Sequence, residues 1–160
     1  MYHLDMMSER KKIPDSIKVH VESLHKEVGA SFKEGNFKNA LEGIEEIWRL
    51  LPAPQFNWDY YPEAISRAAI KVCLGLRDFS KARHWLENLR SAYEDTQKED
   101  PSCRFIEAEI CFAEGQLDEA YLLFDGLYRD YKKRPFEGSD PKYLEFYLEK
   151  KKSTTGKIGR

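Results

Sequence analysis

Hydrophobic residues return along this chain at three- and four-residue steps almost from end to end, which is the spacing of one face of an α-helix. Ile17, Val21, Leu24, Val28 and Phe32 predict a first helix over about 15–34. Phe37, Leu41, Ile44, Ile47, Trp48 and Leu51 predict a second, ended by Pro52 and Pro54. A third begins near 59–62, where a proline in the first turn costs little, and reaches about 76. Phe79, Ala82, Trp85, Leu86, Leu89 and Tyr93 share a face of a fourth, over about 79–94. The fifth opens at Pro101 or Ser102 and ends at 114, and the sixth covers about 117–132 with Ala120, Phe124, Leu127, Tyr128 and Tyr131 inward. Asp140 as cap and Pro141 at the first position start a seventh, which carries Tyr143, Leu144, Phe146, Tyr147 and Leu148. No stretch has the period-two alternation of a strand.

Three of the links between these helices share one design. Gly35-Asn36-Phe37-Lys38-Asn39-Ala40, Arg77-Asp78-Phe79-Ser80-Lys81-Ala82 and Gly115-Gln116-Leu117-Asp118-Glu119-Ala120 each run turn residue, short polar residue, hydrophobe, two polar residues, alanine. Gly35 and Gly115 can leave a helix in a left-handed conformation. Asn36 and Asp78 are good caps for the helix that follows. The alanine allows close approach of two helices, and Ile44, Leu86 and Phe124, four residues on, point into the same seam. Spacings of 42 and 38 residues between the links make them internal repeats, hence stacked helical hairpins.

Composition narrows the function rather than the fold. A net charge of -2 lacks the basic surplus of a nucleic-acid binder, so no nucleic-acid partner is expected. No apolar run is long enough to cross a membrane, and 1–12 lacks the apolar stretch of a signal peptide. Cys73, Cys103 and Cys111 fall in apolar helical patterns without metal-ligand spacing, which predicts reduced thiols in a cytoplasmic protein. Met6-Met7 marks Met7 as an alternative start. The expected organisation is a flexible N-terminus over 1–14, one helical domain over 15–149 and a flexible basic tail over 150–160. The four histidines are scattered, and there is neither a nucleophile elbow nor a glycine-rich phosphate loop. No catalysis, metal or cofactor is expected. The acidic groups Glu42, Glu45, Glu46 and Glu107, Glu109, Glu114, Asp118, Glu119 read as solvated helix faces or as a surface toward a basic partner.

The repeats resemble tetratricopeptide repeats. The second half of that family's pattern, an alanine, a large apolar residue four on and a closing proline, is carried by Ala40, Ile44 and Pro52. Ala82 with Leu86 and Ala120 with Phe124 keep it without the proline. The Trp and Leu-Gly of the family's opening helix are not matched, and loops at 52–61 and 95–101 break its period of about 34 residues. The resemblance covers roughly 21–131. It implies an all-α fold, a short α-solenoid of three hairpins with a C-terminal capping helix, used as a scaffold for binding proteins. It also implies a concave groove lined by the first helix of each hairpin. That groove would take His25, Gly29 and Phe32 from the first, Arg67, Lys71 and Leu74 from the second, and Phe105, Glu109 and Phe112 from the third. His25, Gly29, Ser102 and Ile106 stand where the family's chaperone-tail clamp needs other residues, which disfavours a co-chaperone.

Two surfaces therefore stand out as partner-binding candidates. One is the groove, with Arg67, Lys71, Phe105, Glu109 and Phe112. The other is Phe56-Asn57-Trp58-Asp59-Tyr60-Tyr61, four aromatics in six residues of a proline-flanked loop, where Phe56, Trp58, Tyr60 and Tyr61 suit an interface. Folding of Trp58 and Tyr61 back onto the third helix is the competing expectation. The functional expectation is a protein-binding module that holds one dedicated protein partner. It resembles an immunity protein neutralising a bacterial toxin domain, the alternative being a chaperone or adaptor for a secreted effector.

Overall fold

The computed structural model describes residues 10–158. The fold is all-α: α1 (Asp15–Lys33), α2 (Phe37–Leu50), α3 (Tyr61–Leu76), α4 (Phe79–Ala92), α5 (Pro101–Glu114), α6 (Leu117–Tyr131) and α7 (Pro141–Ile158). No strand forms among the described residues; the only pairing of that kind is an isolated bridge between Lys11 and Trp58. The chain divides into two compact units, one running to Thr96 and the other starting at Gln97.

The three repeated links fold identically. At each, the residue after the helix takes a left-handed conformation: Gly35 at φ +75°, Arg77 at +57° and Gly115 at +87°. Two main-chain hydrogen bonds close each turn. The amides of Asn36, Asp78 and Gln116 donate to the carbonyls of Ser31, Cys73 and Cys111 at 2.8, 2.9 and 2.9 Å. Those of Gly35, Arg77 and Gly115 donate to Phe32, Leu74 and Phe112 at 3.0, 3.1 and 3.1 Å. This is the double closure that satisfies the last carbonyls of a helix. The next helix is capped at once where the side chain permits: Asn36 accepts from the Asn39 amide and Asp78 from the Lys81 amide. Gln116 makes no such bond.

In the first unit each helix packs on its neighbours in the chain, α1 on α2, α2 on α3 and α3 on α4. Ala40 and Ala82 are fully buried in these seams, with Ile44 and Leu86 beside them. Two glycines permit further close approach. A Cβ on Gly75 would meet the Phe37 ring at 2.9 Å, and one on Gly43 would meet Val28 Cγ2 at 2.6 Å. Trp48 stands edge-on to Trp85 at 5.5 Å and to Phe56 at 5.6 Å.

In the second unit α5 packs on α6, and α7 and the 3-10 turn Arg134–Phe136 close over them. The core is unusually aromatic: Phe105, Phe124, Phe136 and Tyr147 are buried, with Phe112, Tyr143 and Phe146 packed against them. Asp140 caps α7 through the Lys142 amide, with Pro141 in first position. Two expectations at the ends change here. α7 continues as helix well past 149, with Ser153, Thr154 and Thr155 hydroxyls donating back to carbonyls of the preceding turn. Residues 10–14 are held in place: Ile13 is buried, and Lys11 pairs with the 57–59 backbone. The rest of the expected flexible N-terminus, with the alternative start at Met7, lies outside the described residues, as do 159–160. Tyr131, expected inward, is exposed because α6 ends there and Lys132 turns the chain away at φ +57°.

Candidate functional site

The loop after α2 is shaped by its prolines and by the N-terminal segment. A 3-10 turn, Gln55–Asn57, follows Pro54, and Trp58 leaves it in extended conformation. There the segment around Lys11 pairs with the loop: the Lys11 amide donates to Asn57 O at 3.0 Å and the Asp59 amide donates to Lys11 O at 2.8 Å. This fixes the loop on both sides of Trp58. The Trp58 indole N–H donates to Pro52 O at 2.7 Å, so the ring folds back over its own loop. Phe56 is half-buried against Trp48. Tyr61 is half-buried at the first position of α3, and burial, with the Glu22 carboxylate nearby, raises its hydroxyl pKa.

Tyr60 behaves differently. Its backbone sits at φ +70°, ψ -51°, and the Tyr61 amide donates across it to Asp59 O at 2.8 Å. That is a three-residue γ-turn with positive φ, a rare and strained conformation for a residue with a side chain. The Tyr60 ring is 62% exposed and stands edge-on to Tyr61 at 5.3 Å. Of the four aromatics in this loop, it alone is presented to solvent.

Beside Tyr60 an open cleft of about 510 Å³ is lined by Arg10, Asp59, Tyr60, Glu63, Ala64, Arg67 and Tyr93. Arg10 bridges it, donating to the Glu63 carboxylate on α3 and to the carbonyl of Ala92 at the end of α4. Arg67 crosses the other side: its Nη2 donates to the Tyr93 hydroxyl at 2.6 Å and its guanidinium lies 5.5 Å from that ring's centre. One turn along α3, the Lys71 ammonium lies 5.1 Å from the Phe32 ring centre. Both α3 cations are exposed and seated on aromatic faces.

The groove residues of the third hairpin are placed elsewhere. Phe105 is buried in the core of the second unit, edge-on to Phe124, Phe136 and Tyr143. Phe112 is covered by α7 through Tyr143 and Phe146 at 5.4 and 5.1 Å. Glu109 is half-buried, and its charge helps raise the Tyr143 pKa. The physical reason is the α7 aromatic face: three large rings need cover, and the exposed face of α5 supplies it. The structure thus gathers Tyr60, Arg67 and Lys71 along α3, uses Phe56, Trp58 and Tyr61 to hold the loop, and gives Phe105 and Phe112 to the core. Arg10, Glu63 and Tyr93 were not legible as site residues. Arg10 lies outside any periodic pattern, and Tyr93 reads as the inward end of α4.

Among the described residues, no cluster of three His, Cys, Asp or Glu side chains could hold a metal ion. The cysteines are buried and unbridged, and burial pushes the Cys73 thiol up to about 11. Among the described residues no helix is long and apolar enough to cross a membrane. Comparison with protein-family models, curated proteins and solved structures gives no match.

Proposed function

We propose that this chain is a non-catalytic protein-binding module that holds one dedicated protein partner, with Tyr60 and the α3 cleft as the centre of its surface. The observation that carries the reading is Tyr60 itself. A large ring presented outward from a positive-φ backbone, at the mouth of a cleft, is well placed for a partner to cover. Aromatic side chains of this kind, near an arginine and ringed by half-buried neighbours, are typical interface anchors. Within this class we favour an immunity protein that neutralises a cognate toxin domain, since an irregular loop between otherwise regular hairpins suits a single partner.

The test is affinity capture of the tagged chain from its native host, then titration of the captured protein against point variants. Tyr60→Ala should weaken binding by about 2 kcal/mol or more and leave the melting temperature nearly unchanged. Undiminished binding by Tyr60→Ala would move the site elsewhere, and turnover of a small molecule by the purified chain would end the reading.

A further inference from the structure

Ala64, Arg67 and Lys71 follow one another at steps of three and four residues, so they form a single stripe along α3, and Tyr60, just before its first position, lines the same cleft as Ala64 and Arg67. The stripe's two cations share an unusual state. Neither Arg67 nor Lys71 has a carboxylate partner among the described residues, although the same unit pairs Arg10 with Glu63, Lys81 with Glu45 and Arg90 with Glu87. Each rests on a ring instead, and Arg67 is further fixed by the Tyr93 hydroxyl.

Resting on the protein-binding reading above, we propose that this stripe docks an extended acidic segment of the partner, carrying two carboxylates with one residue between them. Two spacings match. Four residues of α-helix rise about 6 Å. Alternate residues of an extended chain project to one side about 6.6 Å apart. Two acids in an acid-x-acid pair therefore project to one side at nearly the spacing of the Arg67 and Lys71 positions on α3, whereas adjacent acids point to opposite faces. The guanidinium fork of Arg67 suits a carboxylate in particular. Ala64 leaves room beside Arg67 for the segment's backbone to continue toward the Tyr60 ring. Asp59 sets the register, because its exposed carboxylate lines the Tyr60 end of the cleft and repels a third acid there. Glu63 is already engaged by Arg10 and does not compete for Arg67.

Nuclear magnetic resonance of the isotope-labelled full chain tests this directly. The probes are end-blocked peptides containing Glu-Thr-Glu, the isomer Glu-Glu-Thr and Lys-Thr-Lys, with inorganic phosphate as a charge control. The expected result is saturable shifts of amides along 60–71 with Glu-Thr-Glu. The isomer should bind about threefold more weakly, as loss of one exposed ion pair implies. Arg67→Ala with Lys71→Ala should abolish the shifts while the remaining spectrum stays superimposable. Lys71→Glu, which leaves the Arg67–Tyr93 contact in place, should do the same. Equal binding of the isomer, equal shifts with phosphate, or shifts that survive either variant would each overturn the inference. A captured partner kept undiminished by the double variant overturns the acid-pair docking and leaves the binding module intact; a wild-type chain with no saturable protein partner overturns both.

Discussion

Tyr147 donates its hydroxyl to Asp125 at 2.7 Å from a ring that is fully buried between α6 and α7. Burial first, then that hydrogen bond, raises the pKa of Tyr147 well above the ordinary tyrosine value. Four residues earlier Tyr143, packed on Phe105, Phe112 and Phe124, is pushed up to about 12, chiefly by burial. The aromatic core of the second unit is thus fastened by phenols that must stay neutral.

This fixes the sign of an alkaline effect. In the unfolded chain these tyrosines ionise near 10, while the folded chain holds the Tyr143 proton to about 12. Above pH 10 the unfolded state binds fewer protons than the native state, so stability falls as pH rises. The contribution is complete below 10 and is lost through about 12. Denaturant titrations between about pH 8 and about pH 11 should show this decline, with phenolate absorbance rising at the unfolding transition. Tyr143→Phe, which keeps the ring and removes the proton, should flatten the slope. An unchanged slope would place the titrating group elsewhere.

The loop aromatics should separate into two kinds. Trp58→Ala removes the indole that closes the loop on Pro52 O and should lower stability by about 1–2 kcal/mol. Tyr60→Gly removes an exposed ring and relieves positive φ, so the free protein should be as stable as wild type or slightly more so. Thermal melts of the two variants decide this. A destabilised Tyr60→Gly would mean that the ring is structural.

The repeated links can be read in both directions. Gly115 has open space around a Cβ and φ +87°, so Gly115→Ala should cost about 1 kcal/mol through backbone conformation alone. Arg77 occupies the same position with a side chain and should gain about 0.5 kcal/mol as Arg77→Gly, even after losing its seat over the Phe79 ring at 5.2 Å. In the adjoining seams, Ala82→Leu or Ala120→Leu should overpack a fully buried site and cost about 1–3 kcal/mol. Denaturant midpoints measure all four.

Arg10 carries a prediction that no helical pattern contains. Arg10→Ala frees the N-terminal segment and removes the ion pair of Glu63, whose Oε2 is already buried and without a hydrogen-bond donor among the described residues. The loss should be about 1–2 kcal/mol, and faster amide exchange should follow at Asp59, whose amide binds Lys11 O. Exchange rates equal to wild type would show that Arg10 does not tether the loop.

These comparisons also show what periodicity can and cannot reveal. The links were legible because their requirements are local: a left-handed residue, a cap and an alanine lie within six positions. Phe105 and Phe112 fit a groove and a covered core equally well by spacing, because apolar spacing says that a face is covered without saying by what; α7, which covers them, lies far along the chain. Residues 10–14 carry no period because they are extended, and a lone Ile13 entering a core gives no pattern. Tyr60 was legible as an aromatic in a loop. Its positive φ, next to the Lys11 pairing with Asn57 and Asp59, has no local sequence signal.

The neighbour-on-neighbour packing of α1 to α4 bears on how the chain is made. The most extensive helix contacts in the first unit, α1 with α2, α2 with α3 and α3 with α4, join segments adjacent in sequence. Little loop-closure entropy therefore stands between a newly made segment and its native contacts. As the chain leaves the ribosome, α1 can close on α2 before α3 exists, and the unit ending at Thr96 can complete its Tyr60 surface while α5 to α7 are still being synthesised. A partner made at the same time could be met by a chain that is only partly translated.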